Sequence, residues 1–193
     1  MAYSPKILAF AASTRKESFN RKLVAAAAEG ARDAGAQVTL LDLREYPLPV
    51  YDGDDEASGG VPEQARKLKA LFLEHDGLLI SSPEYNSSDP GGFKNMLDWV
   101  SRPTGKGAPL AEFDGKVAVI MAASPGALGG MRMLPQLRLL LSNLRMLVLP
   151  EQLALGKANE AFTPEGDLKD ETQKKTAQGL GRKLAQTLAK LRA

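Results

Sequence analysis

Five short apolar runs, each closed by a polar turn and separated by stretches whose apolar residues recur at helical spacing, set the rhythm of this chain. Lys6 to Ala12 (KILAFAA) stops at Ser13-Thr14 and predicts a buried first strand. The polar turn Ser13 to Asn20 feeds a helix with Leu23, Ala26, Ala27 and Ala31 on one face, ended near Gly35. Gln37 to Leu43 predicts a second strand. Arg44 to Gly60 holds Pro47, Pro49, the acidic run Asp52 to Glu56 and Ser58-Gly59-Gly60, and reads as loop throughout. Pro62 opens a helix, with proline in its first turn and Ala65, Leu68, Leu71 and Phe72 inside. Leu78 to Ile80 predicts a strand buried on both faces, followed by a turn over Ser82 to Asn86. A helix from near Gly91 carries Phe93, Met96, Leu97 and Val100, and Ser101 to Gly115 then reads as a long surface loop. Lys116 to Ala123 predicts the fourth strand, which ends in the glycine-rich turn Ser124 to Gly130. A helix with Met133, Leu134, Leu137, Leu140 and Leu141 leads to a short fifth strand, Met146 to Leu149. Leu180, Leu184, Leu188 and Leu191 line one face of a terminal helix, capped upstream by acidic residues around Asp170.

Strands alternating with helices call for an α/β fold with a parallel sheet, helices on both faces and right-handed crossovers. Five strands in this rhythm favour a doubly wound sheet of order 2-1-3-4-5, a flavodoxin-like arrangement. In that order the crevice between strands one and three is lined by the turns after Ala12 and Ser82, with the turn after Ala123 alongside. Ligands of open parallel sheets sit at such a place. With no low-complexity linker in 193 residues, one domain over 1–193 is expected.

Composition narrows the chemistry. The net charge is 25 − 23 = +2, too small for a protein held to nucleic acid by phosphate neutralisation. Cysteine is absent, so thiolate chemistry and disulfides are excluded, and a single histidine makes no metal cluster. No apolar run is long enough to span a bilayer, and the first residues lack a signal-peptide pattern, so a cytoplasmic location is expected.

The first turn offers hydroxyls at Ser13, Thr14 and Ser18, an amide at Asn20, the Arg15 guanidinium and the free N–H groups of a helix start, which suits a phosphate monoester. The plainer reading, that Ser18 or Asn20 caps the helix while Arg15 is solvated, stands beside it. No Gly-x-Gly-x-x-Gly follows the first strand, and no Walker lysine pattern occurs. The second turn holds an acid, a phenol and an amide in Glu84, Tyr85 and Asn86. In the third, Gly126, Gly129 and Gly130 would let a flat polar heterocycle approach the backbone, unless they simply let a loop bend. His75, at a predicted helix end, reads as structural. Asp52 to Glu56 lacks full calcium-loop spacing, Trp99 with Met96 reads as packing, and Lys174, Lys175, Arg182 and Lys183 form a solvated helix face.

Ala12-Ser13-Thr14-Arg15-x-x-Ser18-x-Asn20, then Pro83-Glu84-Tyr85-Asn86, then Pro90-Gly91-x-Phe93-Lys94-Asn95-x-x-Asp98-Trp99 resemble the NADPH-dependent FMN reductase family, which includes chromate and quinone reductases. The resemblance implies that Ser13, Arg15, Ser18 and Asn20 hold the FMN phosphate and that Pro83, Glu84, Tyr85 and Asn86 line the isoalloxazine and ribityl chain. Ser124, Gly126 and Gly129 would serve the ring's other edge. Ala12 departs from the glycine frequent there in the family, and Ser87 and Asp89 stand where glycine, histidine or apolar residues are common. The implied activity is hydride transfer from NADPH or NADH to FMN and onward to a small-molecule acceptor: a flavin, a quinone or a metal oxyanion. The flavin carries that chemistry, so no catalytic side chain is required. A homodimer or homotetramer is implied as well. Two alternatives share the fold. An electron-carrier flavodoxin would present an acidic face, unlike this slightly basic chain, and a receiver domain would need acids where Ala12-Ser13 and Ser81-Ser82 stand.

Overall fold

The computed structural model describes residues 3–105 and 107–192. Its strands are β1 (Lys6–Ala11), β2 (Gln37–Leu41), β3 (Gly77–Ser81), β4 (Val117–Ala123) and β5 (Leu147–Leu155). The helices are α1 (Phe19–Asp33), α2 (Gly53–Gly59), α3 (Glu63–Glu74), α4 (Gly91–Val100), α5 (Leu134–Asn143), α6 (Ala158–Ala161) and α7 (Glu171–Leu191). All strand pairs are parallel in the expected order β2-β1-β3-β4-β5, with Ile7 opposite Gly77 and Leu79 opposite Val119.

Side chains of a strand point alternately to the two sheet faces, and here that alternation makes two cores. Ile7, Ala9, Leu79, Val119 and Met121 pack with α1 and α7. Leu8, Phe10, Leu78, Ile80 and Ile120 pack on the opposite face with α3, α4 and α5. Central strands buried on both faces read as continuous apolar runs, which is why KILAFA, GLLIS and VAVIMAA stand out in the sequence. Helices α1 and α7 touch backbone to backbone: a methyl group added at Gly181 would lie 1.8 Å from the Ala27 carbonyl oxygen.

The structure departs from the sequence reading where polar stretches are organised by neighbours. Within the expected loop 44–60, Asp52 accepts from the Asp54 N–H at 2.8 Å and starts α2, so the acidic run forms a helical first turn. Pro62 stands at the N-cap of α3 rather than within its first turn. The second strand ends at Leu41, because Asp42 turns the chain into a single 3-10 turn, Leu43–Glu45. The fifth strand runs on to Leu155 past Pro150, through a register shift opposite Val119. The stretch 101–115 is not only surface: Phe113 is fully buried edge-on against Phe72, and the buried Glu112 pairs with Lys69 at 3.2 Å. Asp170 caps α7 as expected, accepting from the Gln173 N–H.

Trp99 and His75 have structural partners. The Trp99 indole donates to the Pro49 carbonyl at 2.8 Å and packs with Val61, Ala65 and Tyr51. His75 Nδ1 donates to the Leu71 carbonyl, and its Nε2 meets the Thr39 hydroxyl at 2.8 Å, tying the end of α3 to β2.

Candidate active site

At the carboxyl end of β1 the chain leaves the sheet through a turn that ends at Ser18, the N-cap of α1. Ser18 is buried, its backbone is extended as an N-cap requires, and its hydroxyl makes no capping hydrogen bond. The first turn of α1 has no acidic residue, so the partial positive charge of its amino end meets no carboxylate there. Ser13 is buried and its Oγ accepts from the Arg15 N–H at 3.3 Å, folding the turn inward, while the Arg15 side chain stays exposed. Donors without an internal acceptor among the described residues, with an exposed guanidinium beside them, are the kind of donor set that a phosphate monoester takes.

Asn20 behaves differently. Its Oδ1 accepts from the Ser81 hydroxyl at 2.7 Å and from the Ala123 N–H at 2.9 Å, and its Nδ2 donates to the Ala123 carbonyl at 2.9 Å. This buried amide joins the start of α1 to the ends of β3 and β4, and so sets the spacing of all three turns.

The second turn begins at Ser82 and reverses over Asn86 and Ser87, whose φ values of 51° and 66° place two successive residues in the left-handed region. Mutual Tyr85–Ser88 backbone hydrogen bonds of 2.9 and 3.0 Å close this two-residue hairpin. Tyr85 is left half exposed at the rim. The Glu84 carboxylate, only 7 % exposed, turns away from the rim toward the third turn. It accepts from the Arg132 Nε at 2.8 Å, from the Arg132 Nη2, and from the N–H groups of Arg132 and Met133 at 3.1 and 3.2 Å. Met133 is the N-cap of α5 and has no side-chain cap of its own, so Glu84 satisfies that helix start from another segment. The Arg132 hydrogen bonds hold the Glu84 carboxyl below the usual carboxylate range.

In the third turn Gly129 is buried at φ 61°, and a Cβ on it would fall 2.6 Å from the Gly156 nitrogen. Its missing side chain therefore serves packing against the chain after β5. Gly126 is exposed, with only the Ser124 hydroxyl near its Cβ direction.

A crevice of about 100 Å³ brings together Ser13, Arg15, Ser18 and Asn20 with Pro83, Glu84, Tyr85 and Ser124. Asn86, Gly126 and Gly129 lie outside its lining. Arg132, which sequence reading missed, enters through an ion pair across 48 residues that no local pattern signals. A second and larger cavity adjoins the first at Ser13 and Tyr85 and opens toward the 3-10 turn and α4.

A family model described as NADPH-dependent FMN reductase matches residues 5–160. The chain belongs to the NADPH-dependent FMN reductase family. The match runs from β1 into α6 and includes all three turns. By this membership the chain is an oxidoreductase that uses FMN and NAD(P)H. Among similar proteins, a quinone reductase of Pseudomonas putida is 35% identical over 163 residues, covering 83% of each chain. An NAD(P)H-dependent FMN reductase of Pseudomonas aeruginosa is 33% identical over 175 residues, covering 90% of this chain and 89% of its own. The flavoenzyme NAD(P)H:(acceptor) oxidoreductase FerB of Paracoccus denitrificans superposes with a TM-score of 0.80 at 29% identity, over 96% of this chain and 98% of its own.

Proposed function

We propose that the chain is a single FMN-binding domain that accepts hydride from NAD(P)H on its flavin and delivers the electrons to a small acceptor such as a quinone. The observation that carries this reading is the meeting of the Ser13–Ser18 donor set with the second and third turns at one crevice. Bound FMN supplies the hydride and electron chemistry, and the chain's own groups bind and orient it. Ser13, Ser18 and Arg15 hold the phosphate. The crevice, at about 100 Å³, is smaller than the roughly 300–1,000 Å³ typical of whole-ligand sites, which suits the phosphate end with the ring lying outside on the second and third turns. Asn20 and Glu84 keep those turns at a fixed separation.

Half-exposed Tyr85, Leu128 and Met131 surround the second and third turns. This apolar rim supports a homodimer or homotetramer in which a neighbouring subunit shelters the ring, and a chain without cysteine agrees with work in the cytoplasm. Light scattering on the purified protein checks the assembly.

The deciding experiment is anaerobic. NADPH or NADH added to the FMN-loaded protein should bleach the flavin, and a quinone should restore its colour. Flavin that stays yellow with both nucleotides, yet is bleached by dithionite, identifies an electron carrier instead.

A further inference from the structure

Asn86 and Ser87 both sit in the left-handed region, at φ 51° and 66°, a conformation that asparagine tolerates and serine rarely adopts. Such a conformation persists only where the surroundings impose it. The mutual Tyr85–Ser88 backbone bonds supply part of that constraint from inside the turn. The rest comes from α5. Gln136, in the first turn of that helix, donates from its Nε2 to the Ser87 carbonyl, and among the described residues this is the one hydrogen bond made to either Asn86 or Ser87. A peptide unit is planar, so fixing the Ser87 carbonyl also fixes the direction of the Ser88 N–H, which donates to the Tyr85 carbonyl at 3.0 Å. One exposed side chain thereby controls the bond that closes the hairpin and places Tyr85, which lines the crevice.

The other end of the same turn is tied to the same place. Glu84 accepts from the Arg132 side chain and from the N–H groups of Arg132 and Met133, immediately before α5. The third turn leads directly into that segment, so the second turn is fastened at both ends to the continuation of the third. The two fastenings differ in kind. The Glu84 carboxylate is buried among charged and backbone donors, whereas Gln136 is a single exposed amide that lines neither the crevice nor the cavity beside it.

We propose that Gln136 is a positioning residue for the flavin: through the Ser87 carbonyl it locks the turn over Asn86 and Ser87 to α5, and so fixes the Tyr85 edge on which the ring rests. The inference rests on the reading above that the ring lies on the second and third turns. Gln136 bonds none of the phosphate donors, so its effect falls equally on flavins with and without a phosphate.

The test removes the donor and then restores it. Gln136 is exposed, and α5 is held in the core by Leu134, Leu137 and Leu141, so Gln136→Leu keeps the fold, which its thermal melt checks. In the flavin-free chain the Ser88 N–H of Gln136→Leu should exchange with solvent about twofold to tenfold faster than in wild type, the worth of one neutral hydrogen bond. In fluorescence titrations the variant should bind FMN and riboflavin more weakly by that same factor, and the visible absorption band of the bound flavin should shift. A merely structural residue would lower the melting temperature and leave that band in place. Gln136→Lys, which keeps an N–H donor of similar reach, should restore affinity and band. Ser87→Gly should restore them in the Gln136→Leu background, because Asn-Gly is the pair that holds such a turn unaided. A Ser88 exchange rate equal to wild type overturns the lock. Faster exchange with both flavins bound as in wild type overturns the placement of the ring on this turn, and the positioning role with it. Loss of affinity confined to FMN, or no recovery in either rescue variant, overturns the role as well. Failure of NAD(P)H to bleach bound FMN is a separate result, which sinks the reductase reading and leaves these binding results standing.

Discussion

Individual side chains of the candidate site divide into those open to the crevice and those that hold its walls in place. Arg15 is exposed beside two buried serines, so Arg15→Ala should weaken FMN by about 1.5–3 kcal/mol, the usual worth of a hydrogen bond to a charged group. Riboflavin, which lacks the phosphate, should bind Arg15→Ala and wild type alike; fluorescence titration with both flavins checks this. Ser87 sits at φ 66°, a conformation that costs an L-residue about 1–2 kcal/mol, against the roughly 0.5–1 kcal/mol of extra chain entropy that glycine loses. Ser87→Gly should thus stabilise the protein by up to about 1.5 kcal/mol, read as a higher urea midpoint. The motif residues were visible in the sequence as polar side chains after apolar strands, and Ser13, Arg15 and Ser18 do meet at one crevice. What each one bonds to was not visible. Asn20 and Glu84 stand in the linear motif and line the crevice, and the partners they hold within the chain lie 61 to 103 and 48 to 49 positions away, distances over which spacing carries no signal.

Elements are coupled through two kinds of contact that respond to different perturbations. Gly181 lets α7 lie against α1, and Gly181→Ala would drive a methyl into the Ala27 carbonyl; forcing the helices apart should cost at least the roughly 1–3 kcal/mol typical of overpacking, seen as a lower melting temperature. The second contact is electrostatic. Glu84 has a depressed pKa in the folded protein, so the stability it confers is complete above its ordinary carboxylate pKa and is lost as pH falls through the lower folded value. The part of the stability that depends on Glu84 should therefore begin to fall only below about pH 4.3 in wild type, and Glu84→Gln, compared by urea unfolding, should be less stable at neutral pH with a flatter profile over that window. Elements buried on both faces were legible, since β3 and β4 read as unbroken apolar runs. Short or exposed ones were not: α2 depends on an aspartate cap within an acidic run, and the later half of β5 lies beyond a proline that ordinarily ends a strand.

At the scale of the whole molecule, Pro150 in β5 has a further consequence. An open sheet ends in strands whose outer backbone groups can recruit another chain, which is the route to uncontrolled edge-to-edge aggregation. β2 limits that risk by being only five residues long. β5, at nine residues, is the larger hazard. Pro150 removes a donor from it, the register shift bends it, and the Arg138 Nη1 covers the Val148 and Leu149 carbonyls at 3.0 and 2.7 Å. Arg138→Ala combined with Pro150→Ala should fold at low concentration but form thioflavin-positive aggregates on storage at high concentration, where wild type stays clear. With β5 guarded in this way, the proposed homo-oligomer would form through side-chain surfaces rather than through shared sheet, and would not run on into a fibre.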